Sequence, residues 1–343
     1  MRKLLNTLYV TSEDAYLSLD GENIVVIIDF DEKHRIPLHT LESIISFSYK
    51  GASPALMGKC ATDNIQLSFY SPYGKYLASA SGSTNGNVLL RREQYRVADD
   101  EERSLSLAKA FIYGKLYNSR YLLLKFARDY ELRIDTEELR AVASKLKEHM
   151  TEVRDANAKE QIRGIEGIAA TNYFGAFDDL ILQNKSDFKF YFRNRRPPVD
   201  NVNALLSLAY TLLANDCAAA LSGVGLDPYV GFLHVDRPGR RSLALDLMEE
   251  LRSVYADRFV LTLINNRIVN GKDFDEQESG AVLLTEDGRK RFLMEWQKKK
   301  KEVLKHPFIE EKVSWGLVPH IQAMLLARCL RGDLDNYPPF FWK

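Results

Sequence analysis

Hydrophobic and polar positions follow two different periods along this chain. Up to residue 80 the period is that of strands. Residues 4–10, 15–19 and 24–30 are short, rich in β-branched and aromatic side chains, and separated by Ser-Glu-Asp and Asp-Gly-Glu-Asn turn chemistry. Residues 65–70 and 75–80 flank Ser-Pro-Tyr-Gly and predict a second hairpin. Between them, residues 53–63 open on Ser53 and Pro54 and lack a β-branched residue before Thr62, which predicts a short capped helix. Beyond Val88 the apolar residues recur at helical spacing, over 105–130, 136–153, 156–182, 202–222, 243–255 and 286–304. Thr136-Glu-Glu-Leu and Asp200-Asn-Val-Asn supply caps. The pattern predicts an α+β protein: a β-rich domain over residues 1–86, then a larger all-α domain over 87–343. The run Ser-Gly-Ser-Thr-Asn-Gly-Asn at 81–87 punctuates the two as a linker.

Composition adds little to the fold but narrows the function. A hydrophobic fraction of 45% and a charged fraction of 27% are those of an ordinary folded protein. The 47 basic and 47 acidic side chains cancel, which argues against a protein that coats nucleic acid nonspecifically. Local clusters matter more. Arg193, Arg195 and Arg196 form one, Arg237, Arg240 and Arg241 another, and Lys298 to Lys301 a third. The last is most simply a solvated face. Cys60, Cys217 and Cys329 are far apart and form no CxxC pair, so buried thiols in a reducing compartment are expected. The N-terminus reads as a first strand and not a signal peptide. No stretch approaches the roughly 18 apolar residues of a membrane span, so a cytoplasmic setting is expected.

One segment combines chemistry-bearing residues at short range. From Gly231 an apolar approach brings His234 to the end of an extended stretch; Pro238 and Gly239 turn the chain, Ser242 caps, and a helix begins. Asp246 and Glu249 are three apart and share one face of that helix, Asp246 among Leu243, Leu245, Leu247 and Met248. Two acids near a core are costly unless something positive lies between them, and a divalent cation does this well. A further ligand has to come from elsewhere. Glu166 is a candidate, because Gly164 and Gly167 beside it interrupt a helical run and predict close approach of a backbone or ligand. One imidazole with carboxylates suits magnesium or manganese better than zinc. Plainer readings fit the same spacing. They are a structural His234, a solvated helix edge for Asp246 and Glu249, and a Glu166–Arg163 pair across i,i+3.

Taken in order, the motifs resemble a known family. They are Leu8-Tyr-Val-Thr, Gly86-Asn-Val-Leu-Leu-Arg-Arg92, Gly164-Ile-Glu-Gly167, Arg196-Pro-Pro-Val-Asp-Asn-Val-Asn, Gly231-Phe-Leu-His234, Ser242-Leu-Ala-Leu-Asp-Leu-Met-Glu-Glu250, His306-Pro-Phe and Tyr337-Pro-Pro-Phe-Phe-Trp342. The set resembles the CRISPR-associated integrase of the spacer-acquisition module, the first-numbered Cas protein, and looks most like its type I-C branch. That resemblance implies a β-rich dimerisation domain and a helical catalytic domain. It also implies a homodimer assembled with the second-numbered Cas protein into a heterohexamer, with a trimming nuclease as a further partner. It places a Mg2+ or Mn2+ site on Glu166, His234 and an acid, either Glu249 or its neighbour Asp246. The implied reaction is transesterification on double-stranded DNA: the 3′-hydroxyl of a captured fragment attacks a phosphodiester at a CRISPR repeat, or water attacks and the same site is a nuclease. Arg193, Arg195, Arg196, Arg240, Arg241 and the lysine run would then meet phosphates. An inactive DNA-binding architectural subunit, and a free-standing metal nuclease, are the competing readings.

Overall fold

A computed structural model of the chain describes residues 6–342 apart from 42, 64, 72–75, 81–87 and 195–196. The expected linker at 81–87, the turn of the second hairpin, Arg195 and Arg196 lie outside the described residues. The chain divides into two compact units. One is Met1–Asn85 with Leu284–Glu302; the other is Gly86–Leu283 with Val303–Lys343.

The first unit holds β1 (Thr7–Val10), β2 (Tyr16–Asp20), β3 (Asn23–Ile28), β4 (Asp31–Pro37), β5 (Ser43–Ser46), α1 (Pro54–Thr62), β6 (Gln66–Tyr70) and β7 (Tyr76–Ala80). β1, β5 and β6 pair in parallel and β7 runs antiparallel to β6, as the second hairpin requires. β2, β3 and β4 form a separate antiparallel sheet. Leu17, Ile24, Ile44, Leu56, Cys60 and Leu67 are fully buried in one core between these elements. Ser53 caps α1, its hydroxyl accepting from Leu56 N at 3.2 Å. Two strands of this unit, β4 and β5, were not foreseen. β4 is almost wholly polar and exposed, and so lacks an apolar alternation to read. The strand expected over 24–30 also stops at Ile28, because Asp29 and Phe30 both take positive φ (52° and 65°) and close a two-residue hairpin into β4.

The second unit holds α2 (Val88–Asp99), α3 (Glu101–Asp129), α4 (Thr136–Asp155), α5 (Lys159–Gly175), α6 (Asn201–Gly223), α7 (Ser242–Glu249), a π-helical turn (Arg252–Asp257) and α8 (Arg258–Asn265). Two short strands follow, β8 (Phe274–Glu276) and β9 (Val282–Leu284). Then come α9 (Glu286–Lys301), β10 (Val303–Lys305), β11 (Lys312–Ser314) and α10 (Val318–Leu330). Asp200 caps α6 as expected, whereas α4 is capped by Asp135 and not Thr136. α6 is long and apolar enough to cross a membrane by composition, yet 67% of its apolar window is buried in this structure. It also carries the buried, hydrogen-bonded Asn203. It is a core helix.

α9 departs from the expected division, for it belongs to the β-rich unit. Trp296 is fully buried, and the Arg289 guanidinium lies 5.3 Å above the Phe47 ring. The lysine run at its end is only half a solvated face: Lys298 and Lys301 are exposed, whereas Lys299 and Lys300 are buried, Lys299 pairing with Glu302 at 2.6 Å and Lys300 donating to Thr7 at 3.4 Å.

The C-terminal segment is bound to the helical unit by buried polar groups. Glu250 accepts from Tyr337 Oη at 2.5 Å, Gln322 Nε2 at 2.9 Å and Phe340 N at 2.8 Å. Asn118 of α3 donates to the carbonyls of Glu250 and Phe340 and accepts from Trp342 N. His306 donates Nε2–H to Gln322 at 3.1 Å and turns Nδ1 to the amides of Phe308 and Ile309. Burial lowers the His306 pKa from 6.5 to about 4, against the small upward pull of Gln322. A base with a depressed folded-state pKa takes up its proton more readily unfolded, so stability is lost as pH falls from 6.5 towards 4. The cost to wild type between pH 7 and pH 5 is about 2 kcal/mol. In urea unfolding of the full chain, the stability gap between wild type and His306→Asn is therefore expected to narrow by that amount. A gap constant across this range would refute the assignment.

Candidate metal centre

The site begins with a loop that has no regular structure of its own. Expected to be extended, the residues leading to His234 lie instead in an irregular segment held by one carboxylate. Asp246, fully buried on α7, accepts from Phe232 N at 2.6 Å and Leu233 N at 3.0 Å on Oδ2. On Oδ1 it accepts from His234 N at 3.0 Å and His234 Nδ1 at 2.6 Å. The loop can come this close because residue 231 is glycine: a Cβ there would stand 2.9 Å from both Asp246 Oδ2 and Ser242 Cβ. Ser242 does not cap α7 as expected; its hydroxyl donates to Val235 O and ties down the far side of the loop. Arg163 of α5 donates to Leu233 O at 2.9 Å, linking the loop to the helix that carries Glu166.

Because Asp246 only accepts, His234 must donate Nδ1–H to it, which leaves Nε2 as the nitrogen turned to the site. That nitrogen faces Glu249 Oε1 at 3.8 Å. Glu249 is buried and ionised. Burial alone would raise its pKa, but Arg252, Lys115 and His234 beside it outweigh that and hold it at about 2. Arg252, on the π-helical turn, reaches Glu249 Oε1 at 2.8 Å, and Lys115 of α3 reaches Oε2 at 2.8 Å. The Lys115 ammonium also pairs with Glu166 Oε1. A cavity of about 20 Å³, roughly the room of one water, is lined by Lys115, Glu166, Tyr210 and Arg252.

Glu166, His234 and Glu249 are thus brought to one place, and two of the plainer readings do not hold; His234, bonded to Asp246, fits a structural histidine as well as a ligand. Asp246 and Glu249 are interior, and Arg163 pairs with Glu160 and leaves Glu166 to Lys115. Asp246 has both oxygens committed to the loop, so the acid open to a cation is Glu249. Gly164 and Gly167 are not sites of close protein approach, since a Cβ at either would meet nothing within 4 Å. Their exposure leaves the surface beside Glu166 bare. Sequence reasoning missed Lys115 and Arg252; the one signal for Lys115 was a cation set in the apolar face of α3. The basic clusters fare unevenly. Arg193 is turned inward, donating to Asn194 O, Asn203 and Ser207 and lying 5.2 Å over the Tyr210 ring. Arg241 points at Asn215, and Arg240 remains half-exposed.

Among the described residues no three carboxylate, imidazole or thiol groups are drawn together as a ready-made metal cluster. The donor set nonetheless suits a hard divalent ion. Glu249 Oε2 is buried and accepts no well-aligned hydrogen bond, and the cation it faces is an ammonium shared with Glu166.

A sequence profile described as CRISPR associated protein Cas1 matches residues 8–298. The chain belongs to the Cas1 family. A relative from Chlorobaculum tepidum, named CRISPR-associated endonuclease Cas1 1, is 47% identical over 343 residues, covering 100% of both chains. Among solved structures, a casposase bound to integration product has the same fold, with a TM-score of 0.85 and 24% identity over 99% of this chain and 95% of that one. A Cas6-RT-Cas1–Cas2 complex matches with a TM-score of 0.81 and 22% identity, covering 100% of this chain and 36% of the other. These two likenesses show a Cas1 fold with N-terminal strands and a helical C-terminal part.

The loop geometry generates a prediction. Asp246→Asn can accept from some of these donors but offers an N–H to others, so His234 loses its fixed tautomer. Expected are a native fold and a shifted His234 Nδ1/Nε2 pattern in 15N NMR, with roughly a tenfold or greater loss of divalent-ion affinity. An unchanged imidazole spectrum would show that Asp246 does not set the tautomer.

Proposed function

We propose that this chain is a metal-dependent DNA integrase and endonuclease, inserting captured DNA fragments into a CRISPR array by transesterification. The observation that carries the reading is the approach of His234 Nε2 to an ionised, buried Glu249, with Glu166 joined to Glu249 through a shared cation. Mg2+ or Mn2+ would be held by these three residues, and when bound it supplies Lewis-acid stabilisation of charge on the phosphoryl oxygens. The protein's own part is positional. Asp246 presents His234 in one tautomer, Arg252 keeps Glu249 anionic, and the bare surface at Gly164 and Gly167 admits a bulky polyanion. The nucleophile belongs to the DNA or to water, so joining and cutting are two outcomes of one arrangement.

The names of similar proteins support this reading, one an endonuclease and one a casposase bound to its integration product. The Cas1–Cas2 complex supports a partnership with the second-numbered Cas protein. We extend it to double-stranded DNA, a homodimer through the β-rich unit, a heterohexamer, a trimming nuclease, a type I-C setting and the cytoplasm. One observation favours the architectural alternative: Lys115 and Arg252 already neutralise the two glutamates, so the fold needs no metal to tolerate them.

The deciding experiment combines the protein, its small partner, a short duplex with 3′-hydroxyl ends, a repeat-bearing plasmid and Mn2+. Half-site joining is expected, and Glu166→Ala, His234→Ala and Glu249→Ala are each expected to lower it at least about a hundredfold while DNA binding persists. Joining that survives these changes sinks the assignment, and wild-type binding without joining favours the architectural subunit. Arg240→Ala should reduce the salt dependence of DNA binding by about one charge; an unaltered slope removes that residue from the DNA surface.

A further inference from the structure

Lys115 is the least expected member of the site. It projects from α3, is almost enclosed (11% of its side chain exposed), and its ammonium touches one carboxylate oxygen of Glu166 and one of Glu249. α3 is closely packed beside it. The neighbouring Gly114 is packed so closely that a Cβ would stand 3.0 Å from both Glu250 Cβ and Pro339 Cβ. The backbone beside Lys115 is therefore tightly packed, and the four-carbon stem is the flexible part.

We propose that Lys115 is a resident cation that holds Glu166 and Glu249 together while no divalent ion is bound, and that a metal must displace it. This rests on the metal-dependent reading above and deepens it. With Lys115 and Arg252 the two glutamates are neutralised. Adding a divalent ion would leave an excess of two positive charges on these groups, of which buried Asp246 offsets only one, and like-charge repulsion opposes it. One cation has to leave. Arg252 is confined, 2.8 Å from Glu249 Oε1 with its guanidinium 5.3 Å over the Tyr210 ring. Lys115 lies on the other oxygen, Oε2, which accepts no well-aligned hydrogen bond. It is the cation that moves. Its occupancy reduces the apparent metal affinity to the intrinsic value multiplied by the fraction of molecules in which the carboxylates are free. In return the glutamates stay in place before loading, and loading releases a positive charge beside the anionic substrate.

The test is Mn2+ binding by titration calorimetry and EPR on the full chain, with thermal unfolding in parallel. Wild type is expected to bind Mn2+ at a site lost in Glu249→Ala. Lys115→Met should bind Mn2+ about tenfold more tightly. Without metal it should melt below wild type, and saturating Mn2+ should close that gap. Lys115→Arg, which keeps the charge, should bind no more tightly than wild type. Should Lys115→Met fail to fold without metal yet fold with Mn2+, the inference is supported; Lys115→Gln then supplies the affinity. Unchanged or weaker Mn2+ binding by whichever neutral variant folds overturns the role of Lys115 alone. A wild type with no Glu249-dependent Mn2+ site overturns the metal reading, and this inference with it.

Discussion

The carboxylate of Asp246 is the constraint on which the site depends. A fully buried anion is tolerable only when its lone pairs are taken, and here three consecutive backbone amides and one imidazole take them. The same four bonds give shape to a loop that makes no strand or helix. They orient His234, select its tautomer and leave Nε2 facing inward. Gly231 is the steric condition for this approach, and Arg163 fastens the assembled loop to α5. Remove the carboxylate and the loop loses its organising centre, although Glu166 and Glu249 stand on helices that do not need it.

Two adjacent glutamates show how completely surroundings decide charge. Glu249 and Glu250 are both buried, yet one is held at about 2 and the other is raised by burial to about 7. Glu249 faces an ammonium and a guanidinium; Glu250 faces a phenol, a carboxamide and an amide N–H, which only partly offset its desolvation. α7 ends between the two, so Glu250 already lies in the break before the π-helical turn. Glu249 points towards Lys115, Arg252 and His234, and Glu250 into the anchorage of the C-terminal segment.

Much of this was legible in the sequence where local chemistry decides structure. Ser53-Pro54 starts α1, Asp200 caps α6, and the apolar spacing of residues 105–130 gives most of α3. Recognition of Glu166, His234 and Glu249 as a set came from the order of motifs, since spacing alone admitted plainer readings. Three things were hidden. β4 is an exposed polar strand whose existence rests on backbone pairing with β3. α9 has a helical pattern that cannot announce which unit its apolar face will meet. Lys115 and Arg252 became visible only when α3 and the π-helical turn were placed around Glu249. A cation buried by tertiary contact leaves little trace in a linear pattern.

The return of α9 to the β-rich unit makes that unit discontinuous in the chain. During synthesis its strands emerge first, while the helix carrying Trp296 and Arg289 emerges only after residues 86–283 have been made. Until then the aromatic ring of Phe47 waits without its guanidinium cover. The entropic cost of closing so long an excursion grows only slowly with its length, and it falls further once the intervening helices have condensed. The order of assembly is thus written into the topology. The helical unit is largely translated before the β-rich one can be completed, and a ribosome that stops short of residue 302 leaves the first-made part of the protein unfinished.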